Sequence, residues 1–324
     1  MNHFINSLCA ISETLVSGFR QLLLISSNRW TSKNFHLFAN GHMMSRVAVV
    51  TGGNKGIGFA IVKGLCEQFD GIVYLTARNE AKGQAAVEEL KKLGLQPRFH
   101  QLDVTDDSSV DTFKRYLSNA HGGLDVLVNN AAIAFKHTSV DPFSHQASET
   151  IKVNYFGLVR VCKALFPLLR DHARVVNLNS SSGHLSRIPK DELKARLASL
   201  MLTEDDLSQI MRDFVKAAQT NTHGELGWAN NAYSASKVAV SALTCIQQRA
   251  FDEDARKDIA VNSVHPGLVE TDMTSHRAHL TPERGARAPL YLALLTENTN
   301  IKGKYVWHNN IIVDWINDPL PGPY

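Results

Sequence analysis

Tyr233 and Lys237 stand four residues apart in the run Tyr233-Ser234-Ala235-Ser236-Lys237. On a helix that spacing puts both side chains on one face. A free phenol has a pKa of about 10, too high for easy proton exchange at neutral pH. A fixed ammonium beside it favours the phenolate and is expected to lower that value. Such a phenol can protonate a carbonyl oxygen as a hydride reaches the carbon. A second group of residues offers a place for the hydride donor. The run from Thr51 to Gly58 carries Gly52, Gly56 and Gly58 between a short apolar stretch and a helical pattern. Glycines there let the backbone turn tightly and approach a pyrophosphate seated on the helix N-terminus. About 20 residues on, where an acidic residue would bind a ribose 2′-hydroxyl, stands Arg78, with Lys82 one helical turn further. With Lys55 inside the glycine run, three cations can surround a 2′-phosphate. Charge-assisted contacts contribute about 1.5–3 kcal/mol each away from water. The pattern therefore predicts NADPH over NADH.

These residues need a scaffold that brings them together. Residues 47–50, 71–76, 97–102, 125–129, 174–178 and 259–264 read as short buried strands. Helical patterns lie between them, at about 57–69, 81–93, 108–118, 148–170 and 232–251. Regular alternation of strand and helix predicts an α/β fold, a doubly wound parallel sheet (Rossmann fold) in a single domain. One segment breaks the rhythm, at about 189–228. Leu207, Ile210, Met211, Phe214, Val215 and Ala218 recur there at helical spacing, behind a Thr203/Asp206 capping pair. It reads as a helical insertion before Tyr233. The reductase domain is placed at 44–317, followed by a proline-rich tail at 318–324 that is expected to lie extended on the surface. Residues 1–43 read as an extension, either unstructured or a transit peptide: Glu13 is their one acidic residue, and Ser and Asn are frequent.

Composition narrows the function classes. The chain has 324 residues, 44% of them hydrophobic, and a formal net charge of +3 from 34 basic and 31 acidic side chains. That balance argues against nucleic acid as the main partner. No stretch reaches the roughly 18–20 apolar residues that span a bilayer. Cys9, Cys66, Cys162 and Cys245 are scattered and read as reduced thiols. Neither a GxSxG elbow nor an HExxH metal motif is present, so hydrolysis and metal catalysis have no footing. A non-catalytic NADPH-binding sensor or scaffold stays open as the rival to an enzyme.

The motifs together resemble the short-chain dehydrogenase/reductase family. They are the run from Thr51 to Gly58, Asn129-Asn130-Ala131-Ala132, Ser180 after the fifth strand, Tyr233-x-x-x-Lys237 and Pro266-Gly267. Within that family the chain looks most like the monomeric cytosolic carbonyl reductases, on Thr76-Ala77-Arg78, on Lys152 through Gly157, and on the insertion before Tyr233. The resemblance implies NADPH-dependent reduction of quinones, aldehydes and ketones; a dedicated steroid or retinoid reductase is the alternative within the family. It implies Asn154, Ser180, Tyr233 and Lys237 as the catalytic set. Ser180 would orient the substrate oxygen, Lys237 would hold the nicotinamide ribose, and Asn154 would hold a water leading to solvent. Ser181 is the alternative to Ser180, and Gln146 a possible substrate contact. The glycine run would bind cofactor through Asn54 and Ile57 as well as its glycines and Lys55. Asp103 and Val104 would meet the adenine, Asn130 the adenosine-side ribose, and Gly267, Val269 and Thr271 the nicotinamide end. Ala132 replaces the usual glycine of its motif. No metal is implied. A monomer in the cytoplasm is implied, or in the mitochondrion if residues 1–42 act as a transit peptide.

Overall fold

The computed structural model describes residues 45–136, 138–275 and 278–322, so the readings made for residues 1–43 lie outside it. β1 (Val47–Val50) is four buried apolar residues in a row, the pattern of a strand covered on both faces. After it come α1 (Gly56–Gln68), β2 (Ile72–Ala77), α2 (Glu80–Lys92), β3 (Arg98–Gln101), α3 (Asp107–His121) and β4 (Leu124–Asn129). The second half holds α4 (Phe143–Ile151), a π-helical turn (Lys152–Gly157), α5 (Leu158–Leu165) and β5 (Leu169–Leu178). Then follow α6 (Asp191–Leu197), α7 (Glu204–Gln219), α8 (Ala232–Asp252), β6 (Ala260–Val264), α9 (Pro282–Ala293), β7 (Tyr305–Val306) and β8 (Ile312–Val313).

The eight strands form one sheet in the order β3-β2-β1-β4-β5-β6-β7-β8. This is the expected doubly wound sheet, with one antiparallel strand, β8, added at its edge beside β7. β1 pairs with β2 on one side and β4 on the other. Strand order reverses there, and ligands of such sheets lie outside the carboxyl ends of the strands at that point. Side chains alternate between the two faces with period two. Val50, Val128 and Val176 pack with Ile61 and Leu65 of α1, Leu90 of α2 and Leu292 of α9. Their neighbours Val49, Leu127 and Val175 pack with Phe113 of α3 and with Val161 and Leu165 of α5 on the other face.

Two stretches differ from the sequence expectation. The helix expected over 148–170 begins earlier, at Phe143, and ends at Leu165. Pro167 lies in a short 3-10 turn, Phe166–Leu168, and a proline cannot continue the i to i−4 ladder. β5 then starts at Leu169, five residues before the expected strand, and its pairing with β4 shifts register between Leu124 and Val126. α9, β7 and β8 were not expected at all. Gly285 and Pro289 interrupt the helical pattern of α9, and β7 and β8 have two residues each, too few to show a period. The described part of the tail, residues 318–322, has no helix or strand. It is tied down rather than loose, because the carbonyl of Asp318 bonds His184 Nε2 at 3.0 Å. The cysteines among the described residues, Cys66, Cys162 and Cys245, are free thiols.

The inserted segment folds as α6 and α7. The capping box at the start of α7 is complete: Asp206 N donates to Thr203 Oγ1 at 3.1 Å, and Thr203 N donates to Asp206 Oδ2 at 3.4 Å. Phe214 is fully buried and packs edge-on to Phe143 of α4 and against Trp228. Tyr155 OH and Ser208 Oγ share a hydrogen bond of 3.0 Å across the same contact. Thr203→Ala removes the cap and is expected to cost about 1 kcal/mol, read as a fall of about 2–4 °C in Tm. An unchanged Tm would mean that the box does not hold the insertion.

Candidate active site

The glycine run follows β1 directly. Gly52 has φ +64, a backbone state that glycine adopts without strain. Gly58 is needed for a different reason: a Cβ there would overlap the amide of Asn130. Asn130 fixes the run from β4, its Nδ2 donating to the carbonyls of Thr51 and Gly52 at 2.9 and 3.0 Å. Thr51 Oγ1 accepts in return from the backbone of Asn130 and Ala131. At the start of α1, Lys55 occupies the N-cap with no side-chain acceptor, and the first turn carries no acidic residue. The first N–H groups of that helix are therefore open to an anion. Close backbone approach plus an uncapped helix end fit a cofactor pyrophosphate.

The three cations have different surroundings. Arg78 and Lys82 are exposed, at the end of β2 and in the first turn of α2, and neither has a carboxylate partner among the described residues. Lys55, inside the glycine run, is paired: its Nζ lies 2.6 Å from Asp272 Oδ2. Both side chains are largely exposed, and exposed pairs contribute about 0–1 kcal/mol. A phosphate dianion offers about 1.5–3 kcal/mol per charge-assisted contact, so the pairing does not remove Lys55 from a phosphate site.

Tyr233 and Lys237 lie in the first turns of α8, on the face turned to the end of β5. Lys237 is 3% exposed and its Nζ donates to the carbonyl of Leu178 at 2.8 Å. The same ammonium stands 5.6 Å from the centre of the Tyr233 ring, within cation–π range. Burial lowers the Lys237 pKa to about 8. The phenol was expected to fall below its ordinary value. It rises instead, because burial outweighs everything else; the Ser180 hydroxyl, bonded to the phenol, pulls the other way. That bond also separates Ser180 from Ser181. Ser180 Oγ accepts from Ser182 N at 3.2 Å, which leaves its own hydrogen to donate. Ser181 is held by its backbone N–H, which donates to His265 Nδ1 at 3.0 Å.

Asn154 lies in the π-helical turn, buried, and both ends of its side chain are engaged. Its Oδ1 accepts from Ile133 N at 2.8 Å, and its Nδ2 donates to Ile133 O and to Ser236 Oγ. Ser236 Oγ in turn donates to Tyr233 O at 2.7 Å. Asn154 thus braces the loop after β4 against the turn that carries Tyr233, a task the sequence did not reveal. Asp103 and Val104 follow β3, with Asp103 Oδ1 accepting from Thr105 N and Oγ1. Gly267, Val269 and Thr271 follow β6; Thr271 faces Gly56, and the isolated bridge Val269–Leu280 pins the loop. Asn54 and Ile57 are half-buried in the glycine run. Gln146, in α4, donates to the carbonyl of Asp141 at 2.9 Å. The carboxyl ends of β1 to β6 and the loops just past them thereby carry every expected group except Gly56, Ile57, Gly58, Lys82, Gln146, Asn154, Tyr233 and Lys237, which lie in α1, α2, α4, the π-helical turn and α8.

A family model described as short chain dehydrogenase matches residues 46–190 and 220–280. The unmatched interval coincides with α6 and α7. The NADPH carbonyl reductase 3 of Mus musculus is 43% identical over 274 residues, covering 84% of this chain and 99% of that protein. The NADPH carbonyl reductase 1 of Rattus norvegicus is 46% identical over 251 residues, covering 77% and 91%. Among solved structures, salutaridine reductase from Papaver somniferum superposes with a TM-score of 0.73 at 32% identity, covering 80% of this chain and 99% of that one. Menthone neomenthol reductase from Mentha piperita gives 0.70 at 30% identity, covering 82% and 99%. The chain belongs to the short-chain dehydrogenase/reductase family. No helix among the described residues is long and apolar enough to cross a membrane.

The low Lys237 value has a signed consequence. Below about 8 the ammonium is present; as pH rises through that value it is lost. kcat/KM reports groups of the free enzyme, so it is expected to fall on an alkaline limb near pH 8. Folding moves the other way. Between about 8 and the ordinary lysine value of 10.5 the unfolded chain holds the extra proton, so the contribution of Lys237 to stability rises with pH there. Loss of activity without loss of Tm in that window is the expected pair of observations. Activity that stays level to pH 10 would take the ammonium out of the mechanism.

Proposed function

We infer that this chain reduces carbonyl compounds (quinones, aldehydes and ketones) to alcohols at the expense of NADPH. The observation that carries this is the meeting of Tyr233, Ser180 and Lys237 at the carboxyl end of β5, in a sheet whose glycine run fits a dinucleotide. NADPH, when bound, supplies the hydride. The glycine run and the start of α1 would hold its pyrophosphate, and Arg78, Lys82 and Lys55 its 2′-phosphate. Gly267, Val269 and Thr271 would border its nicotinamide end.

The chain's own residues do the rest. Ser180 donates a hydrogen bond to the substrate oxygen through its own O–H, its oxygen being oriented by the bond it accepts from Ser182 N. Tyr233 gives its proton to that oxygen. Reduction requires the phenol to be protonated at the outset, and burial keeps it so at neutral pH. Lys237 stabilises the phenolate left behind. Its position is set by the Leu178 carbonyl, which takes one ammonium hydrogen and leaves two for the cofactor ribose and the proton path. Asn154 keeps that turn of α8 in place through Ser236.

The same reading makes the chain a monomer, because α7 covers α4 and α8 with a contact that includes Phe214 and Trp228. It places the protein in the cytoplasm, with the mitochondrion as the alternative should residues 1–42 serve as a transit peptide.

Two substitutions test the assignment. Tyr233→Phe is expected to lower kcat by about 10²–10⁴-fold while NADPH binding, followed by its fluorescence, persists; retained turnover would sink the mechanism. Arg78→Asp is expected to lower kcat/KM for NADPH by about 10–100-fold, the loss of one charge-assisted contact, and to leave NADH unharmed. An unchanged preference between the two cofactors would remove Arg78 from the phosphate site.

A further inference from the structure

The Ser180 hydroxyl acts only if the turn carrying it is fixed, and that turn is a single short 3-10 element, Ser181–Gly183, just past β5. Six hydrogen bonds to its backbone fix it, among them Ser182 N to Ser180 Oγ and, from α8, Ser241 Oγ to the Gly183 carbonyl at 2.7 Å. Ser180 N donates to Asn179 Oδ1 at 3.0 Å, and Gly183 N donates to the Ser180 carbonyl at 2.8 Å. From β7, Tyr305 OH donates to the same Ser180 carbonyl at 2.6 Å. From the end of β6, His265 Nδ1 accepts from Ser181 N at 3.0 Å.

Sheet register delivers both side chains. Ser263 pairs with Tyr305, and Leu178 pairs with Val264. One step past the strands, Asn179 N donates to Val264 O, and His265 N donates to Val306 O, each at 2.8 Å. Tyr305 is 2% exposed and His265 is 4% exposed. Both pack on Trp307, His265 with ring centres 4.3 Å apart and Tyr305 nearly perpendicular to it at 5.9 Å. Burial keeps the imidazole uncharged, with its pKa lowered to about 3. Neutral imidazole has one donor and one acceptor nitrogen; since Nδ1 accepts from Ser181, the proton sits on Nε2.

We propose that Tyr305 and His265 are positioning residues for the reduction, clamping the Ser180–Ser181 peptide from β7 and from the end of β6 and so aiming the Ser180 hydroxyl at the substrate oxygen. The proposal rests on the catalytic reading of Ser180 and Tyr233. Neither residue touches the reacting atoms; each acts through the serine turn. Tyr305 is suited to a clean test. Tyr305→Phe keeps the ring in its packing, and the Ser180 carbonyl keeps its bond from Gly183, so no buried acceptor is orphaned.

The test is a double-mutant cycle on a reactive quinone, chosen so that slow variants remain measurable. Tyr305→Phe is expected to lower kcat about 10-fold, the weight of one well-placed hydrogen bond. NADPH affinity, measured by fluorescence, is expected to stay within about 2-fold of the parent, because the clamp lies on the substrate side. In a Ser180→Ala background the same change is expected to have no further effect on kcat, because there is no longer a hydroxyl to aim. His265→Leu is expected to behave like Tyr305→Phe, and His265→Asn, which restores an acceptor for Ser181 N, to recover most of the loss. An equal 10-fold loss from Tyr305→Phe with and without the Ser180 hydroxyl would overturn the proposal, as would full activity of both Tyr305→Phe and His265→Leu. Full activity of Ser180→Ala itself would instead overturn the catalytic reading, so the two failures are distinct.

Discussion

Taking an ammonium group out of water costs several kcal/mol unless its hydrogens find acceptors. Lys237 is almost wholly buried, and the Leu178 carbonyl is the acceptor that the fold provides. Much of the architecture serves this contact. Leu178 is the last residue of β5, and its pairing with Val264 of β6 sets where its carbonyl meets α8. α8 must in turn start at a fixed point, and Asn231 caps it by accepting from Ser234 N at 2.8 Å. A shift of α8 by one residue would rotate Lys237 by about 100° away from β5, since a helix has 3.6 residues per turn.

Burial acts on both members of the pair, in opposite senses. It raises the phenol and lowers the ammonium, because in each case the charged form loses solvation. The order of the two values is therefore inverted: an ordinary phenol loses its proton slightly before an ordinary ammonium, whereas here the ammonium loses its proton first. At neutral pH the phenol is protonated and the lysine largely charged, the combination that a proton donor needs before it gives up its proton. Ser180 moderates the rise of the phenol. A serine placed a turn away would leave that moderation out, which gives the geometry of the 3-10 turn an electrostatic role besides its role in orienting substrate.

How much of this was legible in the sequence follows from distance along the chain. The glycine run and the Tyr233–Lys237 pair are local patterns, and a period or a spacing suffices to see them. The six central strands were visible for the same reason, as runs of β-branched and other apolar residues. What escaped depends on long-range pairing. Lys55 and Asp272 are 217 positions apart, so the ion pair between them has no sequence signature. Tyr305 lies in a two-residue strand whose place is set by β6 rather than by its own pattern. His265 is 84 positions from Ser181, so the bond between them could be seen only once β5 and β6 were side by side. The sign of the phenol's shift was missed because sequence spacing shows the neighbouring charge but not the burial that outweighs it.

The insertion shows the same division between local pattern and assembled contact. Its apolar stripe was readable, and Leu207, Ile210, Met211 and Phe214 do form the buried side of α7. The opposite side carries Asp205, Arg212, Asp213 and Lys216, all exposed. A helix built this way converts an apolar surface into a charged one. The flank of α4 and α8 would otherwise present Phe143, Trp228 and their neighbours to water, and burying one such side chain contributes about 1.5–3 kcal/mol. Once α7 is in place, the surface over these helices offers charges that are costly to bury against a second copy. The segment thus stabilises the fold by covering that apolar flank. Phe143, its inner partner, opens α4, the helix that runs directly into the π-helical turn carrying Asn154. Packing by the insertion is thereby joined, through one continuous stretch of helix, to the brace behind Tyr233.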